Sequence, residues 1–322
     1  MSGKLFIVNM SPQGLFETLL DSDNKLFNYN WDKVTHIVFS GLAINRYGRV
    51  VISSNKESFS YLKNGDIFVK WFQSLKQRYP HLQVYWAVDA RREDYAQNFE
   101  FWINLTLVVA ECKADGIYVK MNTRCEAFLD SCVVPLIIEP YTCDFETLTF
   151  FQKYTPILVI NSFGFLSLGQ FPDFDKESDL NSTIEMLQFL LPFLDYRKVV
   201  LGMTTEMLSF KNNGEQYCNL PINLLSNLLF GGRNVDGVKY KFERSDNRQI
   251  GSSTLTISST DYYEKITFED PKSRIKKFEL VKRFGLAGII VGDISKDFPA
   301  SHIGSFSRLF GDFLAFEAQS PE

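Results

Sequence analysis

The chain has 322 residues, 45% apolar and 15% aromatic with 30 Phe, which supplies large side chains for one sizeable core. Its 34 basic and 38 acidic residues are well mixed and sum to a net charge of -4, so no basic stripe is offered to a phosphate backbone, which argues against nucleic acid as a partner. No run approaches the roughly 20 apolar residues of a membrane-spanning helix, and Met1-Ser2-Gly3-Lys4 leads straight into a strand-like run with no leader visible. The compartment stays open, because a cytoplasmic protein and a secreted one shown without its leader read alike.

In chain order, short apolar, β-branched runs occur at 5–9, 34–44, 82–88, 116–121, 133–138, 157–161, 199–204 and 287–294. Helix-like stretches lie between them at 66–77, 96–113, 145–154, 182–194 and 273–284. This alternation is the pattern of a parallel sheet with crossover helices. Eight such strands predict an α/β fold, a (β/α)8 TIM barrel, which fills about 250 residues as one domain. The whole of 1–322 is read as a single barrel domain. One stretch departs: 209–270 is polar and rich in Asn and Gly, with β-like pieces at 238–242 and 253–258. It is too long for an ordinary loop and predicts a small insertion after strand seven at the barrel mouth. The tail after Ala318 is expected to fray.

Cys112, Cys125, Cys132, Cys143 and Cys218 leave at least one thiol unpaired and lack a Cys-x-x-Cys spacing, and His36, His81 and His302 are scattered. Neither a disulfide scaffold nor a metal site is indicated, no glycine-rich phosphate loop stands out, and no cofactor is called for. Asn-x-Ser/Thr sequons begin at Asn9, Asn104 and Asn181. The first falls at the end of a predicted strand, where a glycan is hard to place.

The fourth run, Ala114-Asp115-Gly116-Ile117-Tyr118-Val119-Lys120-Met121-Asn122, resembles the catalytic strand of glycoside hydrolase family 18, the chitinases and chitinase-like proteins. That strand reads Asp-Gly-x-Asp-x-Asp-x-Glu; its Glu protonates the glycosidic oxygen and the preceding Asp supports the reacting acetamido sugar. Asp115-Gly116 matches, whereas Tyr118, Lys120 and Asn122 stand where the family has Asp, Asp and Glu.

The resemblance continues elsewhere. Thr35-His36-Ile37 is similar to the second strand, while Ala87-Val88-Asp89-Ala90-Arg91 departs from the third. Asn161-Ser162-Phe163-Gly164 looks like the sixth, with Phe163 lacking the family's Tyr hydroxyl and Gly164 its carboxylate. The stretch 198–203 is similar to the seventh without its Pro. Glu269-Asp270, Ser273, Lys276 or Lys277 and the run 285–293 resemble the closing helix and eighth strand, with Gly292 in place of the subsite Trp. The overall manner is nearest to the divergent chitinase-like proteins of nematodes.

An amide has no ionisable proton near neutral pH and cannot be the general acid of a glycosidase. The resemblance therefore implies a barrel without the enzyme's activity, its catalytic positions degenerate at Tyr118, Lys120, Asn122, Phe163, Gly164 and Gly292. What remains for a ligand is Tyr118, Lys120, Asn122, Phe163, Glu206 and Asp293, with the rings of Tyr118 or Phe163 available to stack on a sugar. Strand alternation puts Tyr118, Lys120 and Asn122 on the inward face. An inward lysine costs on the order of several kcal/mol unless paired, so Asp89, Glu139, Glu206 and Asp293 are its candidate partners. A desolvated Schiff-base lysine is the sharper alternative. Trp86 reads as core rather than sugar platform.

Three functions follow from this reading. One is a lectin-like binder of chitin or N-acetylglucosamine-type glycans. Another is a protein-interaction or signalling scaffold that has lost sugar binding. The third is a glycosidase with relocated carboxylates such as Glu139 and Glu206.

Overall fold

The eight barrel runs close on themselves. The computed structural model describes residues 3–11, 29–40, 42–44, 50–52, 66–90, 99–121, 124–141, 144–161, 180–211, 216–222, 239–244, 253–258, 263–298 and 302–319. The strands are β1 Leu5–Met10, β2 His36–Phe39, β3 Leu42–Ile44, β4 Val50–Ile52, β5 Gln83–Asp89, β6 Gly116–Met121, β7 Leu136–Pro140, β8 Ile157–Asn161 and β9 Val199–Met203. After them come β10 Glu206–Lys211, β11 Gln216–Pro221, β12 Lys239–Arg244, β13 Ser253–Ser258, β14 Tyr263–Phe268 and β15 Gly288–Asp293. A closed barrel runs in the order β1-β15-β9-β8-β7-β6-β5-β2, with every neighbouring pair parallel. All the strands then finish at one rim, where such barrels assemble their sites.

Alternation sorts the side chains into two cores. Ile7, Val38, Tyr85, Ala87, Tyr118, Ile137, Val159, Val200 and Ile290 fill the lumen. Their neighbours, including Phe6, Phe39, Trp86, Ile117, Val119 and Ile289, pack outward against the helices. Trp86 is fully buried there, edge-on to Phe39 at 4.8 Å, so it is core and not a sugar platform.

The helices are α1 Asp66–Arg78, α2 Phe99–Glu111, α3 Glu126–Ser131, α4 Phe145–Phe151, α5 Leu180–Leu190, α6 Pro271–Arg283 and α7 Phe306–Gln319. Local chemistry sets their ends. Asp144 caps α4 by accepting from the Thr147 N–H at 2.8 Å, and Asp270, followed by Pro271, caps α6 through the Ser273 N–H at 2.8 Å. At the other end of α6, Gly285 adopts φ 66° while its N–H bonds the Lys282 carbonyl and the Leu286 N–H bonds that of Val281. This is a Schellman stop.

Two sequence expectations are corrected. The run 34–44 is not one strand: β2 ends at Phe39, and Leu42–Ile44 turns into an antiparallel hairpin with Val50–Ile52. The segment after strand seven holds much more than two β-like pieces. The order β11-β10-β14-β13-β12 makes a five-stranded antiparallel sheet, starting at Glu206 and sharing the core of Met207, Ile222, Leu255, Ile266 and Phe268 with Phe298 beyond β15. The chain from Phe306 to Gln319 is helical. None of the described helices is long and apolar enough to cross a membrane.

Candidate functional site

Gly116–Met121 forms β6 over the span read from the sequence, and its register with both neighbours fixes the uppermost described layer of the lumen face. Asp89 on β5 lies opposite Lys120, and Lys120 lies opposite Glu139 on β7. Three charged side chains from adjacent strands are thus set in one row at the carboxyl rim. Among the described side chains Glu139 pairs with the lysine: Lys120 Nζ lies 2.9 Å from Glu139 Oε1, with the lysine side chain 37% exposed and the glutamate 11%. The Tyr141 hydroxyl donates to Asp89 Oδ1, extending the row by one phenol.

One layer below, Tyr118 sits on the same face, 2% exposed, and its hydroxyl is buried without a hydrogen-bond partner in the protein. Packed among the lumen residues, its ring is not available for stacking on a sugar, which corrects that part of the sequence reading. Asn122, Phe163 and Gly164 lie outside the described residues, as does the side chain of Glu206, whose backbone pairs with Pro221 in β10.

The opposite wall is formed by β15. A Cβ placed on Gly292 would come within 3.0 Å of Thr205 Oγ1 and 3.3 Å of the Thr205 nitrogen. Thr205, fully buried, donates its hydroxyl to the Asp293 carbonyl at 2.9 Å. The space beside Gly292 is therefore occupied by the link from β9 to β10. The Asp293 carboxylate turns to its own chain, accepting from the Ser295 N–H at 3.1 Å and the Ser295 hydroxyl at 2.8 Å.

The framework matches have structural work to do. Asp115 accepts from the Val84 N–H at 2.7 Å and pairs with Lys76 at 2.6 Å, tying β6 to β5 and α1. His36 is buried under the lumen, ring to ring with Tyr85 at 5.4 Å and 2.8 Å from the Thr35 hydroxyl. Burial lowers its pKa to about 4 against smaller opposing effects of Gln83 and Asp115, and burial raises that of Tyr85 to about 12. Cys112, Cys125 and Cys132 are free thiols. Among the described residues no group of three His, Cys, Asp or Glu side chains could hold a metal ion.

Sequence reasoning passed over Tyr141 and Thr205. The first could have been found by continuing alternation two residues beyond Glu139. The second had no sequence signal, because its role depends on how the insertion leaves the barrel.

This closed eight-stranded barrel, with an antiparallel sheet after its seventh strand, has the fold of chitinases and chitinase-like proteins of the family 18 type. Particular solved structures carry that likeness. The Group IV chitinase of Ostrinia furnacalis, solved with allosamidin, superimposes with a TM-score of 0.69 at 16% identity over 98% of this chain and 100% of its own. The immunomodulatory active chitinase TsES1 of Trichuris suis gives 0.69 at 9% identity over 98% of this chain and 100% of its own. YKL-39, solved with the chitooligosaccharide GlcNAc4, gives 0.64 at 13% identity over 98% of this chain and 100% of that one. In sequence, no described protein family and no curated protein matches this chain.

Proposed function

We propose that the protein is a chitinase-like barrel that binds glycan of the chitin or N-acetylglucosamine type without cleaving it. One observation carries the reading: the inward face of β6, where the resemblance expects carboxylates, presents an ammonium held at 2.9 Å by Glu139. Asn122, two residues on in the sequence, has no proton to give a leaving group. Fold likeness to YKL-39, a protein solved with GlcNAc4, supports a binding role for such a barrel.

The same ion pair, with Thr205 against Gly292, also favours a second reading. In it the mouth is closed to sugar and the barrel serves as a protein-interaction scaffold. Calorimetric titration of the full chain with chito-oligosaccharides, followed by mass spectrometry of the recovered sugar, separates the readings. Binding with intact sugar is the expected result. Cleaved sugar would replace the binder with a glycosidase using relocated carboxylates, and no heat of binding would leave the scaffold.

A further inference from the structure

The outer wall of the barrel carries three phenyl rings that the core leaves in contact with solvent. Phe145 opens α4, Phe189 lies near the end of α5, and Phe193 closes the 3-10 turn Leu191–Phe193 that continues α5. Phe189 and Phe193 are four residues apart on one helical path, which sets them on the same side. Phe193 meets Phe145 edge to face, with ring centroids 4.7 Å apart and planes at 79°. Phe145, Phe189 and Phe193 are nonetheless 41%, 66% and 53% exposed. Their backbone is stapled in place. Gln152, at the end of α4, donates from Nε2 to the Phe193 carbonyl at 3.1 Å and accepts at Oε1 from the Asp195 N–H at 2.9 Å. Lys198 Nζ in turn donates to the Gln152 carbonyl at 2.8 Å. Rings fixed before contact lose little freedom on binding, which is the property of an interface anchor.

Charge and area decide what covers such a patch. Asp144 accepts from the Thr147 N–H, Glu146 pairs with Arg124, Asp195 pairs with Arg197, and Lys198 is held by Gln152, so the charges bordering Phe145 and Phe193 are engaged within the chain. Glu185, one turn before Phe189, is exposed and belongs to the rim. The centre therefore offers rings and no charge, which suits a second copy of itself and gives a charged partner nothing to pair with. A sugar platform is disfavoured as well, because the edge of one ring stands on the face of the other. A Phe side chain buries on the order of 200 Å², so the exposed fractions leave about 300 Å² of ring per copy and about 600 Å² for two. A polar rim of equal size brings the contact to about 1,200 Å², the lower bound of specific interfaces.

We infer that Phe145, Phe189 and Phe193 form the centre of a two-fold contact between two copies of this chain. The contact lies outside the lumen and is independent of what the rim binds. Sedimentation velocity of the full chain from about 2 to about 200 µM, at low and at high salt, tests it. The expected result is a monomer–dimer equilibrium with a dissociation constant on the order of 10–100 µM. High salt should leave it as tight or tighter, as an apolar contact requires. Phe189→Glu, at an exposed position that should keep the wild-type circular dichroism and thermal midpoint, sets like charges against each other and should weaken association at least about tenfold. Phe193→Ser should weaken it as well. Leu107→Glu, at a position 58% exposed on α2, is the control and should leave the equilibrium unchanged. A chain that stays monomeric throughout overturns the inference and leaves the patch to an unlike partner. A dimer that folded Phe189→Glu leaves intact, one that Leu107→Glu breaks equally, or growth past the dimer overturns it too.

Discussion

Replacing Lys120 with Met tests whether the rim row is held by charge. At 2.9 Å two unit charges attract by about 1.4 kcal/mol in water and by about 6 kcal/mol at an effective dielectric of about 20. The lysine side chain is 37% exposed, which places the value near the aqueous end. Lys120→Met is therefore expected to lower stability by about 1–2 kcal/mol at pH 7.5 in low salt. The loss is that of the ammonium facing Glu139, whose side chain is 11% exposed. The deficit relative to wild type should fade at pH 4, where a carboxylate deprived of its cation takes up a proton and no longer carries charge. Urea denaturation followed by circular dichroism at both pH values, with unchanged m, gives the two differences. The double variant Lys120→Met with Glu139→Gln should recover most of the loss at pH 7.5. A deficit equal at the two pH values, or none at either, would refute the electrostatic account.

Three other outcomes are expected. His36 has its pKa lowered to about 4 in the folded protein, so its contribution is complete above the unfolded value of about 6.5 and is lost as pH falls through 4. Wild type should therefore shed about 3 kcal/mol across that window that His36→Gln does not, and parallel pH profiles for the two would contradict the buried neutral ring. Lys277 and Glu269 form an ion pair with both side chains inaccessible, at 0% and 1% exposure, so Lys277→Met should cost about 3–5 kcal/mol and the pair Lys277→Met with Glu269→Leu much less. Denaturant titration of the two variants decides it, and a harmless single substitution would show that no buried charge is stranded. Gly288→Ala would drive a Cβ to 2.0 Å from the Leu5 carbonyl oxygen, whereas nothing lies within 4 Å of a Cβ at Gly3. Loss of about 3 kcal/mol or more, or failure to fold, is expected for Gly288→Ala, and a thermal midpoint equal to that of Gly3→Ala would show that β1 and β15 do not meet as described.

The barrel was legible because each of its strands is a self-contained apolar run bounded by amphipathic stretches. Gly116–Met121 and Ile157–Asn161 fall on the residues read from the sequence. The antiparallel sheet was largely hidden, since strands such as Gln216–Pro221 mix polar and apolar residues and gain their order from pairing with distant partners. Helix α7 did carry a signal, in Phe306, Leu309, Phe310 and Phe313 at helical spacing, that a reading ending on the eighth strand overlooked. At the rim, alternation placed Lys120 inward, and its burial cost pointed to a carboxylate partner. Which one it was depended on strand register, which local sequence does not encode.

The strands by which the chain leaves and rejoins the barrel around the inserted sheet, β10 and β14, are hydrogen-bonded to each other from Leu208↔Thr267 to Lys211↔Glu264. Departure and return are side by side, so the sheet is grafted on a two-stranded stem. Lengthening its outer loops leaves the stem where it is, and even doubling such a loop adds only about 0.6 kcal/mol of closure entropy. The barrel can thus exchange or resize what it carries on that stem without disturbing its own closure.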